Sequence, residues 1–430
     1  MSERVIRIGM LGCGTVGSAV ARTLHEHGDA IARRAGVRLQ VTRVAVRDLG
    51  RARDTPLAAD VFTTDGVAIV DDPEVDIVLE LLGGLEPARV LVFRALAAGK
   101  PVVTGNKELL ASAGAELEAA AHAGAADLAF EAAVAGGIPL IRPLRESLAG
   151  DRVTRMLGIV NGTTNYILTQ MSERGWGFDQ ALHEAQRLGY AEADPTADVD
   201  GFDAAAKCAI LASIAFDARV TTDDVYREGI AGITAQDIAD AARLGYVVKL
   251  LAIAELDHDD ITVRVHPAMV PAEHPLANVR DAFNAVFIEA EKAGQLMFYG
   301  RGAGGDPTAT SVVGDLVRVA RHLAFGGRMQ GADSVGLDRR IRPMGDTHGQ
   351  YYLNLHVQDR PGVLAEIAEA FGRHGVSIER VWQEGFGEEA ALVFITHRAQ
   401  EAPFQETVTE LRGRDSVRAV VSLLRVEGEE

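Results

Sequence analysis

Short apolar runs alternate with amphipathic stretches over the first 150 residues. Residues 5–11, 39–46, 77–82, 101–104 and 127–131 are mostly apolar and predict strands. Residues 16–27, 87–98 and 108–123 repeat apolar positions at helical spacing, and Gly99 stops the second of these helices. The polar stretch 71–76 reads as a turn. Strands that alternate with helices predict a parallel sheet covered on both faces. From about residue 151 the texture is less regular. Strands are predicted at 153–161, 228–231, 249–256, 262–269 and 285–290, and helices at 165–174, 178–188 and 201–216. That mixture predicts an α+β domain. A late helix, 311–324, is expected to pack back on the first domain.

The stretch 326–350 is polar and reads as a linker. Beyond it the pattern is strand 351–357, helix 363–374, strand 376–383, turn 385–389, strand 390–396, helix 404–411 and strand 417–426. That β-α-β-β-α-β order is ferredoxin-like. The expected domains are therefore 1–150, 151–330 and 350–430.

Composition narrows the function. Of 430 residues, 47% are apolar and 24% charged, a globular balance. Forty-three basic residues against 61 acidic ones give a net charge of −18. A chain so acidic is a poor partner for nucleic acid or an anionic membrane, because phosphate contacts need a basic surface. Two cysteines, Cys13 and Cys208, cannot build a disulfide framework. The first residues lead straight into a strand pattern, with no signal-peptide layout, and no apolar run is long enough to span a bilayer. The expectation is a cytoplasmic enzyme.

Gly12-Cys13-Gly14-Thr15-Val16-Gly17 fits G-x-G-x-x-G between a strand and a helix. The first glycine permits a tight turn, the second lets the backbone approach a pyrophosphate, and the third lets helix and strand close up. This predicts a Rossmann-type dinucleotide site, with Thr15 and Val16 opening an anion-binding helix N-terminus. Strand two ends in Arg47-Asp48, with Arg51 and Arg53 close behind. A guanidinium at Arg47 suits the 2′-phosphate of NADP. Asp48 in the acidic role would instead suit NAD.

Several further motifs occur in order: Leu82-Gly83-Gly84, Thr104-Gly105-Asn106-Lys107, Asn161-Gly162-Thr163-Thr164-Asn165, Gly189 to Pro195, Asp198 to Lys207 and Gly302 to Thr308. Together they resemble the homoserine dehydrogenase family over the whole chain, in its longer form with a C-terminal ACT domain. The resemblance implies NAD(P)H-dependent reduction of L-aspartate 4-semialdehyde to L-homoserine, on the route to threonine, methionine and isoleucine. It implies Lys207 as proton donor, Asp203 as substrate-orienting, Glu192 as holding the substrate ammonium, and Lys107 between nicotinamide and substrate. Asp198, Asn161, Gly162 and Thr163 are placed at the substrate, and Gly83 and Thr104 at the cofactor.

The residues read alone agree in part. Asp203 and Lys207 are i, i+4 on a predicted helix and share a face. An ammonium there can protonate a developing alkoxide, although an ordinary surface ion pair has the same spacing. Loop 161–165 can line a carboxylate or cofactor site, and Thr163 or Thr164 can equally cap the helix that follows.

By the same resemblance Glu131 and the carbonyls of Val134, Gly136 and Ile138 hold a monovalent cation such as sodium; read alone, 131–139 is a plain turn. No His/Cys spacing for zinc is present. In the ACT module the loop Asp359, Gly362, Val363 and Leu364 is the expected effector site. L-threonine is the implied effector, and a purely dimerising module is the other reading. A homodimer or homotetramer is expected. Another small-aldehyde dehydrogenase, or a catalytically silent amino-acid sensor, are the competing functions. The first is opposed by the stretch 192–207, and the second by the presence of Lys107, Asp203 and Lys207 together.

Overall fold

The structure is a computed structural model that describes residues 4–327 and 339–428. The chain forms two compact units that interleave along the sequence, whereas the sequence texture predicts consecutive blocks. One comprises Met1–Val160, Ala205–Val225 and Phe283–Arg339, the other Asn161–Ala204, Tyr226–Ala282 and Arg340–Glu430.

The first unit is built on a six-stranded parallel sheet. Its strands are β1 (Val5–Leu11), β2 (Arg38–Ala45), β3 (Phe62–Thr63), β4 (Ile77–Glu80), β5 (Val102–Thr104) and β6 (Leu128–Ala129), in the order 3-2-1-4-5-6. That is the order of dinucleotide-binding doubly wound sheets. Helices α1 (Thr15–Ala35), α2 (Gly66–Asp71), α3 (Ala88–Ala97) and α4 (Lys107–Ala123) connect the strands. Helix α1 runs past its expected end at residue 27, because Gly28 weakens a helix without ending it. It stops at Gly36, whose φ of 76° opens the left-handed region and whose N–H bonds Ala32 O.

Helix Gly305–Phe325 packs on this core. Val312, Leu316 and Val319 are fully buried in one cluster with Ile8, Val20 and Ile77. A separate antiparallel ladder joins strands Val153–Ile159, Phe283–Ala290 and Gly294–Arg301. The last strand escapes sequence reading because its side chains are half-exposed or exposed and lack a clean apolar face.

The second unit carries helices Gly162–Arg174 and Phe178–Arg187 and the long hairpin Tyr246–Asp257/Asp260–Pro271. Strand Val417–Val426 pairs in parallel with the hairpin at Ala268 and Met269. It also pairs antiparallel with strand His348–Gln358, which pairs with Glu389–Thr396 and so with Ile378–Phe386. Helices Val363–Arg373 and Glu401–Arg412 complete the β-α-β-β-α-β module. Tyr351, Leu353, Phe371, Phe394, Phe404 and Leu411 fill its core.

Three sequence expectations change here. The strand expected at 228–231 is the two-residue strand Tyr226–Arg227 instead, since from Gly229 the chain runs flush against Val199 and Asp200. Helix Ala235–Arg243 was not predicted, although its capping box, Thr234 with Asp237, is a readable start signal. Within the expected linker, strand Arg340–Ile341 pairs with Asp260–Ile261, and residues 328–338 lie outside the described residues.

Lys249 is buried to 2% exposure, and its ammonium donates to Asn165 Oδ1 (3.1 Å) and Val279 O (2.5 Å). Burial, reinforced by Arg280, pulls its pKa from 10.5 down to about 8, against the pull of Glu173 and Asp281. The unfolded chain therefore binds the proton more tightly than the folded one. Between pH 8 and 10.5 native stability should rise with pH. Urea unfolding of the wild type minus that of Lys249→Met should show a difference that climbs by on the order of 3 kcal/mol over this window. A flat difference contradicts the assignment.

Candidate active site

The glycine loop leaves β1 and enters α1. Gly12 has φ 97°, and a Cβ there would lie 2.5 Å from Leu81 O. A Cβ on Gly17 would lie 2.7 Å from Gly12 O. Both glycines are required by the fold itself. Gly14 differs: the space where its Cβ would sit contains no atom within 4 Å. It is also the N-cap of α1 and leaves the helix without a side-chain cap or an acidic residue in its first turn. Open space, uncapped N–H groups and a helix dipole fit a pyrophosphate.

At the end of β2, Arg47 and Arg51 are exposed. Arg53 instead folds back on its own loop, donating to Asp48 O (2.5 Å) and Arg51 O (2.7 Å) and lying over the Phe62 ring. Asp48 accepts the Gly50 N–H at 2.8 Å.

A carboxylate that sequence reading missed organises the other side of this site. Glu80 ends β4 and is fully buried. It accepts from Thr104 Oγ1 (2.6 Å), the Leu82 N–H (2.7 Å) and Asn106 Nδ2 (3.4 Å). The Asn106 amide also donates to Gly84 O (2.7 Å), and its oxygen caps α4 through the Leu109 N–H. The loops carrying Gly83 and Thr104 are thereby tied together, and Lys107 is set at the first position of α4. Burial pushes the Glu80 carboxyl up, against the hydrogen bonds from Thr104, Leu82, Asn106 and Gly83. The available signal was a lone acid ending the apolar run Ile77-Val78-Leu79.

Lys207 is 9% exposed and its Nζ donates to Val160 O at 2.7 Å. Glu131 lies at one turn of 3₁₀ helix rather than at a strand end, because the strand closes at Ala129. Its carboxylate accepts the backbone N–H groups of Leu140, Ile141 and Arg142 at 2.5, 2.8 and 3.0 Å. Ser311 Oγ donates to Gly136 O at 2.7 Å. The side chain of Glu131 thus builds this turn.

In the second unit the side-chain amide of Asn161 joins two acids. Its Nδ2 donates to Asp198 Oδ1 at 2.7 Å and to Asp203 Oδ2 at 2.9 Å. Its Oδ1 caps helix Gly162–Arg174 through the Thr164 N–H. The helix begins earlier than 165, so Asn161 rather than Thr163 or Thr164 is the cap. Thr163 Oγ1 donates to Tyr190 O (2.7 Å). Gly162 is required by packing, since its Cβ would lie 2.9 Å from Ala282 O. Glu192 is exposed on the following loop, where Gln186 Nε2 bonds its backbone carbonyl at 3.1 Å. Asp203 lies in the first turn of helix Phe202–Ala215, and Lys207 follows one turn later.

The C-terminal module holds a cavity of about 320 Å³ lined by Asp359, Gly362, Val363, Leu364, Gln383 and Leu392. All four residues expected at the effector loop are on its wall. Gly362, at φ 94°, is the N-cap of helix Val363–Arg373, which has no side-chain cap.

The sequence profile of homoserine dehydrogenase matches residues 139–317, its NAD-binding domain matches 12–131, and the ACT domain matches 351–415. A homoserine dehydrogenase of Corynebacterium glutamicum is 49% identical over 98% of this chain and 96% of its own length. The chain belongs to the homoserine dehydrogenase family. The crystal structure of a homoserine dehydrogenase from Thiobacillus denitrificans superposes with a TM-score of 0.94 at 43% identity, covering 99% of each chain. A hyperthermophilic archaeal homoserine dehydrogenase in complex with NADPH gives 0.63 at 29% identity, over 73% of this chain and 97% of the other. As a homoserine dehydrogenase the chain is an NAD(P)-dependent oxidoreductase acting on a CH–OH group, with a C-terminal domain of a kind suited to allosteric regulation. Among the described residues no helix is long and apolar enough to cross a membrane.

The glycine geometry separates two kinds of defect. Gly14→Ala should melt like the wild type yet bind reduced nicotinamide dinucleotide at least about tenfold more weakly in a fluorescence titration. Gly12→Ala should lose at least about 2 kcal/mol of stability. Equal melting of the two variants contradicts the distinction.

Proposed function

We propose that this homoserine dehydrogenase prefers NADP, reduces L-aspartate 4-semialdehyde with Lys207 as proton donor, and is inhibited by L-threonine. The single observation that carries the chemistry is the Asn161 amide held between Asp198 and Asp203. It fixes two carboxylates in one orientation, beside the chain segment that leads to Lys207.

When bound, the reduced nicotinamide supplies a hydride. The carbonyl carbon of the aldehyde accepts that hydride, and its oxygen must then take up one proton to become the homoserine hydroxyl. Lys207 supplies the proton from Nζ, and its ammonium stabilises the negative charge that builds on oxygen. Asp203 and Asp198 orient the substrate with Asn161, Gly162 and Thr163, and Glu192 attracts the substrate ammonium. Lys107 lies between nicotinamide and substrate from the start of α4. In the oxidative direction Lys207 takes the proton back.

NADP is favoured because Arg47 is exposed at the end of β2 while Asp48 is engaged in its own turn. A relative solved in complex with NADPH supports the same preference. Glu131, with the carbonyls of Val134, Gly136 and Ile138, suits a hard monovalent cation such as sodium in a structural role. L-Threonine, small and zwitterionic, suits the ACT cavity with its uncapped helix N-terminus and Asp359. The enzyme is proposed to act in the cytoplasm as a homodimer or homotetramer.

A spectrophotometric assay with homoserine tests this reading. Reduced nicotinamide should form faster with NADP than with NAD, and Arg47→Ala should narrow that ratio. Lys207→Ala should keep nucleotide affinity and lose about 10²- to 10⁴-fold in kcat; near-normal turnover removes Lys207 from its role. Threonine should bind with measurable heat and slow turnover, and Leu364→Glu should abolish both effects.

A further inference from the structure

Among the described residues the least exposed guanidinium is that of Arg425, on the last strand of the C-terminal module. It is 2% exposed and meets two carboxylates. Its Nε and Nη2 donate to Glu401 at 2.9 and 2.6 Å. Its Nη1 and Nη2 donate to Glu228 at 3.0 Å each. Glu401 opens a helix of the same module, but Glu228 belongs to the catalytic part of the chain. Tyr226 adds a hydroxyl bond to Glu228, whose N–H is fixed to Val265 O at 2.8 Å.

The segment around Glu228 is the seat of another. Arg227 donates to Asp200 O (2.5 Å), and its guanidinium carbon lies 3.4 Å from the Phe202 ring centroid. The Ile230 N–H bonds Val199 O at 2.8 Å. A Cβ on Gly229 would lie 2.4 Å from Val199 O, so the two backbones touch directly. The stretch 199–202 that rests on 227–230 is flanked by Asp198 and Asp203, the pair bridged by Asn161.

We propose that Arg425 is a positioning residue for catalysis: through Glu228 and Arg227 it sets the stretch 199–202 and hence the attitude of the Asp198–Asp203 pair. This rests on the reading of those carboxylates as substrate-binding. The C-terminal module is then a structural part of the substrate site as well as an effector module. An effector held near Asp359 has a route to substrate affinity through strand Val417–Val426, which carries Arg425.

The test uses the full-length enzyme and separates homoserine from nucleotide. Arg227→Met and Glu228→Gln should raise the KM for homoserine about five- to thirtyfold and lower kcat, while the NADPH dissociation constant stays within about twofold. Arg425→Lys should fall between these variants and the wild type. Glu255→Gln serves as the control. It breaks a comparably buried pair with Arg264, 2.7 Å away within the long hairpin, and it should leave homoserine KM unchanged.

Wild-type homoserine kinetics in both Arg227→Met and Glu228→Gln overturn the proposal, provided that Asp203→Asn is inactive. Equal loss of homoserine and nucleotide affinity also overturns it, since that marks general destabilisation. Full activity in Asp203→Asn overturns the reading of the carboxylates themselves, and the proposal falls with it.

Discussion

A carboxylate removed from water must find donors for its oxygens, and in this enzyme the donors come from loops far apart in sequence. Glu80 takes them from the loops after β4 and β5, Glu131 from three successive backbone N–H groups, and Asp198 with Asp203 from one asparagine. Each acid costs free energy to bury and recovers it only if its loop adopts one shape. Strands and helices supply the frame, but desolvated anions fix the loops on it. Alanine in place of Glu80 would leave donors unmatched on two loops at once, and alanine in place of Glu131 would leave three successive N–H groups unmatched.

The same logic explains how a module of regulatory type is joined to a catalytic one. Two parallel-paired residues of strand Val417–Val426 are a slender backbone link. A buried guanidinium cluster strengthens it, Arg425 with Glu228 and Glu401. Buried ion pairs are poor sources of net stability compared with apolar packing, yet they are intolerant of a changed register. An interface of this kind specifies alignment, and alignment is what a substrate-binding pair of carboxylates needs.

Much of this was legible along the chain. The glycine loop, the alternation of strands and helices and the β-α-β-β-α-β module each announce themselves through local patterns, and the order of the motifs identifies the family. Glu80, Arg227 and Arg425 were not legible. Each looks like an ordinary polar residue at a strand end, and its role is defined by partners as much as 197 positions away. Strand Gly294–Arg301 was missed because an exposed strand lacks the apolar face that periodicity detects. The start of helix Gly162–Arg174 is misplaced by sequence because Thr163 and Thr164 offer themselves as caps, whereas Asn161 takes that place and also holds the two acids.

Helix Gly305–Phe325 has a consequence for how the protein is made. Its apolar face completes the core against which α1 and the parallel sheet pack. A ribosome adding about 5–20 residues per second needs roughly 15–60 s to reach it. Until then the nucleotide-binding sheet, synthesised first, lacks one of its covers and presents Val20, Ile8 and their neighbours to the cell. The second unit waits longer still, for strand Val417–Val426. Both cores are therefore completed only late in synthesis, and within about 5–20 s of each other at that rate.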